Sequence, residues 1–156
     1  ILPWLGVKEL PVGTLWQQGS LTILILPMTD QEGYDRLLWS CDFNLVRGED
    51  SFLRAQWAGR PFLWHIYPQA DDAHLEKLTA FLRLYGHNLS PTCYNALISL
   101  CVSYDKGQAE EAVAAWKSLE QHARELQEHA QRWPGQALAG GDLASRLVQF
   151  SEKRLK

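Results

Sequence analysis

From Leu21 to Gly86 the chain passes three times from a short apolar run to a run with helical spacing, and this alternation restricts its fold more than any other feature. Leu21-Thr22-Ile23-Leu24-Ile25-Leu26-Pro27 is almost continuously apolar and bounded by Gly19-Ser20 and Pro27, the pattern of a strand covered on both faces. Tyr34, Leu37, Leu38 and Cys41 then recur at helical spacing. Phe43-Asn44-Leu45-Val46 returns to strand character, and Phe52, Leu53, Ala55, Gln56 and Trp57 to helix, until Gly59. Pro61-Phe62-Leu63-Trp64-His65-Ile66 reads as a third strand, followed by a helix carrying Leu75, Leu78, Phe81, Leu82 and Tyr85 and ending at Gly86. Strand-turn-helix units about 20 residues apart predict an α/β fold with an open parallel sheet and crossover helices. The units share no repeat consensus of the kind that builds a solenoid.

After Gly86 the pattern is helical only. Ser90-Pro91 supplies an N-cap followed by a proline suited to the first helical position, opening a helix with Leu97, Leu100 and Cys101, and Asp105-Lys106-Gly107 makes the next turn. Ala112, Trp116, Leu119, Ala123, Leu126, Ala130 and Trp133 step by alternate fours and threes, which predicts one apolar seam on a long helix from about Gln108 to Trp133, stopped by Pro134-Gly135. That seam reads as core or domain interface. A last helix with Leu143, Leu147 and Phe150 follows Ala139-Gly140-Gly141 and ends on Lys153, Arg154 and Lys156, charges that suit a helix C-terminus. No low-complexity linker divides residues 1–156, so a single domain is expected, and 46% hydrophobic residues with seven Trp are enough to build a core.

A net charge of −3 and a pI near 5.9 do not fit a general nucleic-acid binder or a polybasic membrane-surface protein. Cys41, Cys93 and Cys101 form no CxxC and no zinc spacing, which points to a reducing, cytoplasmic setting. No apolar stretch reaches the ~20 residues of a membrane span, and Ile1-Leu2-Pro3-Trp4 does not read as a secretion signal. The chain opens without Met, as a piece of a longer protein would.

In a parallel sheet, ligands bind beyond the carboxyl ends of the strands. That rule gathers Met28-Thr29-Asp30-Gln31, Arg47-Gly48-Glu49-Asp50-Ser51 and Tyr67-Pro68-Gln69 on one rim. Gly48 reads as a tight turn before a helix whose first N–H groups face the crevice, an arrangement that attracts phosphate. Arg47 could clamp an anion and Ser51 donate to it. Glu49 and Asp50 need another task, since carboxylates ~4 Å from an anion repel it by ~1 kcal/mol even in water-like dielectric. Spacing alone admits a second reading, a capped helix start with a surface salt bridge. His65 reads as a core or rim histidine, and His74 and His87 have no partner spacing. His122 and His129 are not at metal-ligand spacing, so no metal is expected. Cys93 and Cys101 lack a local base and read as inert.

Residues 41 to 82, CDFNLVRGEDSFLRAQWAGRPFLWHIYPQADDAHLEKLTAFL, with Tyr34-Asp35-Arg36-Leu37-Leu38-Trp39 before them, closely resemble the central signature of the bacterial arginine rhamnosyltransferases that modify elongation factor P. The resemblance implies the Rossmann-like C-terminal domain of a GT-B glycosyltransferase: inverting, metal-independent, without a cofactor, and using TDP-β-L-rhamnose as donor and an arginine of elongation factor P as acceptor. It implies that Arg47, Asp50, Ser51 and Tyr67 bind the nucleotide diphosphate, that Glu49 is the critical carboxylate near the reacting centre, and that Gln31 lies on the donor-facing loop. Met28 departs from the Phe the family pattern leads us to expect against the thymine. The resemblance further implies that the aspartates serving as general base belong to an N-terminal domain of the same enzyme outside these residues, that the first strand of the donor domain, with an aromatic that helps hold the thymine, is also missing, and that this stretch alone is inactive. The competing reading is a non-enzymatic module that binds a protein partner through its Trp-rich helices. A dehydrogenase is disfavoured, since no GxGxxG follows a strand.

Overall fold

The computed structural model describes residues 6 to 154. The readings of Ile1 to Trp4 and of Lys156 therefore lie outside the described residues. Residue contacts divide the chain into two units, with the boundary between Tyr34 and Asp35.

The first unit is built on a hairpin. Strands β1 (Leu15–Gln18) and β2 (Leu21–Leu24) pair antiparallel with Leu15 opposite Leu24 and Gln18 opposite Leu21. The expectation that Leu21 to Pro27 forms a doubly covered parallel strand is therefore corrected. Gly19, at φ 58, makes Gly19-Ser20 a two-residue hairpin turn, and closing a strand on its nearest neighbour costs the least loop entropy. Leu21, Leu24 and Leu26 are left exposed. Helix α1 (Gln31–Ser40) opens with Asp30 Oδ1 accepting from the Gly33 N–H at 2.8 Å.

The second unit holds the predicted crossover. Strands β3 (Asn44–Val46) and β4 (Phe62–Trp64) run parallel, with Asn44 opposite Phe62 and Val46 opposite Trp64. Helix α2 (Glu49–Trp57) joins them. Among the described residues the parallel sheet is this one pair. The His65 N–H donates to the Val46 carbonyl at 2.8 Å, extending the ladder beyond the strand ends. At the other end the buried Asn44 donates through Nδ2 to the Leu38 carbonyl at 3.1 Å, tying β3 to α1. Gly59, at φ 64, turns the chain from α2 into β4.

Helix α3 (Ala73–Tyr85) packs its aromatic residues against the pair. Phe52 stacks on Trp64 with centroids 3.9 Å apart and meets Phe81 edge-on at 4.7 Å, geometries that aromatic rings favour. Helix α4 (Pro91–Asp105) starts as predicted, with the Ser90 hydroxyl accepting from the Cys93 N–H at 3.3 Å. Glu125 accepts from both the Ser90 N–H and its hydroxyl; these bonds hold its carboxyl below its ordinary pKa.

The expected single long helix is two, α5 (Ala109–Glu120) and α6 (Ala123–Leu138), broken at Gln121-His122. The residues of the seam keep one spacing across a short break, which periodicity does not distinguish from continuity. Ala112, Leu119, Leu126, Ala130 and Trp133 are buried, while Trp116 is 40% exposed. Pro134 does not stop α6 but lies inside it. A proline there leaves the carbonyl four residues back, that of Ala130, without its intrahelical N–H donor. Helix α7 (Leu143–Arg154) follows, with no buried residue among those described.

Candidate nucleotide-binding edge

At the carboxyl ends of β3 and β4 the chain turns into α2 on one side and toward α3 on the other. Gly48 is the residue before the first turn of α2, and it makes no side-chain cap. The N–H groups at this helix start are therefore not covered by a capping side chain, and they carry the positive end of the helix dipole. Gly48 itself adopts φ −70 and ψ 162, an ordinary extended conformation. The expectation of a tight turn at Gly48 is corrected: what glycine contributes is a bare surface, since a Cβ would meet only the Ser51 hydroxyl, 4.0 Å away.

Arg47 and Tyr67 meet across the two strand ends. The guanidinium carbon of Arg47 lies 4.6 Å from the centre of the Tyr67 ring, within cation–π range. The Arg47 carbonyl accepts from the Trp64 indole N–H at 2.9 Å, so the backbone is fixed while the exposed side chain has no carboxylate partner among the described residues. Tyr67 is 57% exposed.

The two carboxylates of the first turn differ. Asp50 accepts from Arg54 Nε at 3.1 Å, and Arg54 also reaches both carboxylate oxygens of Asp35 at 3.0 and 2.9 Å. These bonds, Asp35 first and Asp50 second, push the Arg54 pKa up. The negative charge of Asp50 is thus shared with a neighbouring cation. Glu49 is exposed and has no ion-pair partner among the described residues. Ser51 is half-buried at the same helix start.

The structure brings Arg47, Glu49, Asp50, Ser51 and Tyr67 to one edge of the parallel pair. Met28, 98% exposed, and Gln31, exposed in the first turn of α1, belong to the first unit. Among the described residues no cluster of three or more His, Cys, Asp or Glu could hold a metal ion. A cavity of about 370 Å³ lies at the amino-terminal edge of the pair, lined by Phe43, Pro61, Trp116 and Leu119 among others. That is the end away from which ligands of parallel sheets bind.

One cluster escaped sequence reasoning. His65 Nδ1 lies 2.7 Å from Asp105 Oδ1, and His74 Nε2 lies 3.9 Å from Asp105 Oδ2. Forty residues separate His65 from Asp105, and no local spacing signals the contact.

Known proteins share this arrangement of chain. The family model for the elongation factor P rhamnosyltransferase EarP matches residues 1–152. The chain is 53% identical over 147 residues to a protein-arginine rhamnosyltransferase of Shewanella oneidensis, covering 94% of this chain and 37% of that protein. It is 49% identical to one of Pseudomonas putida, covering 97% and 40%, and 46% identical to one of Pseudomonas aeruginosa, covering 96% and 39%. It spans about two fifths of the length of these curated relatives. A solved structure described as the structural basis for EarP-mediated arginine glycosylation of translation elongation factor EF-P superposes with a TM-score of 0.80 at 46% identity, over 97% of this chain and 47% of that one.

Proposed function

This chain belongs to the elongation factor P rhamnosyltransferase family, and from that premise we propose that it supplies the donor-binding half of a cytoplasmic, inverting, metal-independent enzyme that transfers rhamnose from TDP-β-L-rhamnose to an arginine of elongation factor P. The observation that carries the reading is the Arg47 guanidinium set over Tyr67 beside an uncapped helix start. In this reading the diphosphate lies on the first N–H groups of α2, clamped by Arg47, with the Ser51 and Tyr67 hydroxyls donating to its oxygens. The diphosphate leaves carrying negative charge, and a pre-set cation and helix dipole stabilise that charge as it develops. Asp50, paired with Arg54, has part of its charge offset by that cation and braces the helix start. Glu49, without an ion-pair partner among the described residues, faces the reacting centre and arranges the acceptor guanidinium. Inversion requires a general base on the sugar face opposite the diphosphate; we assign it to the N-terminal domain of the complete enzyme, so this chain alone is inactive.

Titrating TDP into the protein while following amide signals tests the donor site. Perturbation centred on Arg47 to Ser51 and Tyr67 is expected; binding that leaves those signals still would sink the assignment. In the complete enzyme, Glu49→Gln is expected to leave the fold intact and to cut rhamnose transfer sharply, read as the intact mass of elongation factor P. Normal turnover by that variant would remove Glu49 from the mechanism.

A further inference from the structure

We propose that Asp105 is a positioning residue for the donor cradle, holding through His65 and His74 the two ends of the loop that presents Tyr67 to Arg47. The proposal rests on the donor-binding reading for its consequence, but not for its geometry. Asp105 is the last residue of α4, where a negative charge opposes the helix dipole, and its side chain is 1% exposed. An anion so placed is costly unless cationic or donor groups meet it. His65 meets it on one side: its Nδ1–H donates to Oδ1 at 2.7 Å. On the other side Oδ2 makes no hydrogen bond and faces His74 Nε2 at 3.9 Å.

That longer approach biases a tautomer. A carboxylate oxygen facing Nε2 favours the proton there, which leaves Nδ1 of His74 unprotonated. Nδ1 is the atom that accepts from the Gln69 N–H at 3.2 Å. The loop is therefore gripped at three points. His65 is fixed by Asp105 and by its own N–H to the Val46 carbonyl. His74 is fixed in the first turn of α3, and Gln69 is fixed by His74. Tyr67 sits between His65 and Gln69, so the backbone that carries its ring toward Arg47 is held on both sides. The Tyr104 ring meets the His65 imidazole in a T-shaped contact at 5.3 Å.

Asp105→Asn tests this in the full-length protein. The amide keeps an oxygen for His65 but turns an N–H₂ toward His74, which reverses the tautomer and removes the acceptor from Gln69. Amide exchange at Gln69 is expected to quicken at least tenfold while core amides such as Leu97 stay unchanged, and TDP affinity is expected to fall by about tenfold. His74→Phe, which keeps a ring but no nitrogen, should loosen Gln69 in the same way and decides the matter if the first variant does not fold. Wild-type exchange at Gln69 in a folded variant overturns the proposal, as does unaltered TDP affinity despite a loosened loop. If Gln69 loosens but the wild-type protein does not bind TDP, the loop anchor stands and the donor reading falls.

Discussion

The indole N–H of Trp64 donates to the carbonyl of Arg47 at 2.9 Å, so the last residue of one strand holds the residue just past the end of its parallel neighbour. The same indole stacks on Phe52 of α2 with rings 3.9 Å apart. One buried side chain therefore sets the distance between the strand ends and the helix that opens beside them.

Trp64→Phe retains an aromatic ring but loses the bond to Arg47. It is expected to lower the unfolding free energy by about 1–2 kcal/mol and to weaken TDP binding severalfold. Denaturant titration and calorimetry read the two effects; lost stability with unchanged affinity would show that the fixed Arg47 backbone does not matter to the ligand.

Gly48→Ser sets stability against binding. A serine at this position can accept from the first-turn N–H groups of α2, adding a few tenths of a kcal/mol of stability, and it occupies the groups assigned to the diphosphate. A higher melting temperature with severalfold weaker TDP binding is expected. Tighter binding in that variant would argue that the helix start is not the cradle.

The thiols should separate into one fast and two slow. Cys41 is exposed. Burial, helped by Glu125, pushes Cys93 up to about 11, and burial with a smaller contribution from Asp105 pushes Cys101 up to about 12. At pH 8 a thiol with a pKa near 11 is ~0.1% thiolate. Ellman's reagent is expected to titrate one thiol rapidly in the native protein and the other two only after unfolding.

His129 predicts a pH dependence of stability. It is 1% exposed, and burial holds its pKa below the ordinary 6.5, aided by Arg132 and opposed by the Tyr85 backbone and Glu125. Below pH 6.5 the unfolded chain takes up a proton that the folded ring resists, so stability is full above that pH and falls as the pH drops toward the folded-state value. The slope from this one group is at most about 1.4 kcal/mol per pH unit. His129→Leu should flatten the curve between about pH 6.5 and 5.5, before carboxylates titrate; an unchanged slope would assign it to other groups.

Two glycines are expected to fail for different reasons. Gly59→Ala forces a Cβ into the left-handed region at φ 64 without a steric clash, costing about 1 kcal/mol. Gly86 has an ordinary backbone, but a Cβ there would collide with the Tyr94 ring, and overpacking of this kind costs about 1–3 kcal/mol. Thermal melts of the two variants check both.

Local features were legible in the chain. The Ser90-Pro91 start of α4, the strand–helix–strand crossover from Asn44 to Trp64 and the placement of Glu49 to Ser51 in a first helical turn each depend on neighbours within a few residues. The hairpin of β1 and β2 is also local, since Gly19-Ser20 forms a two-residue turn where composition suggests only a strand boundary. Pro134 inside α6 shows the limit of such signals, since local propensity disfavours a residue that the folded helix nonetheless accommodates.

Family membership and the positions of the RGEDS residues follow from the order of amino acids alone, because strand and helix periods and short motifs are properties of adjacent residues. Tertiary structure decided which charges meet: Asp50 with Arg54 and Asp35, Arg47 with Tyr67, and Asp105 between His65 and His74. Electrostatic pairing depends on distance in space and on burial, and the strength of a charge contact grows as water is excluded. Neither quantity is fixed until remote segments pack, which is why a carboxylate forty residues from its histidine carries no signature in the linear chain.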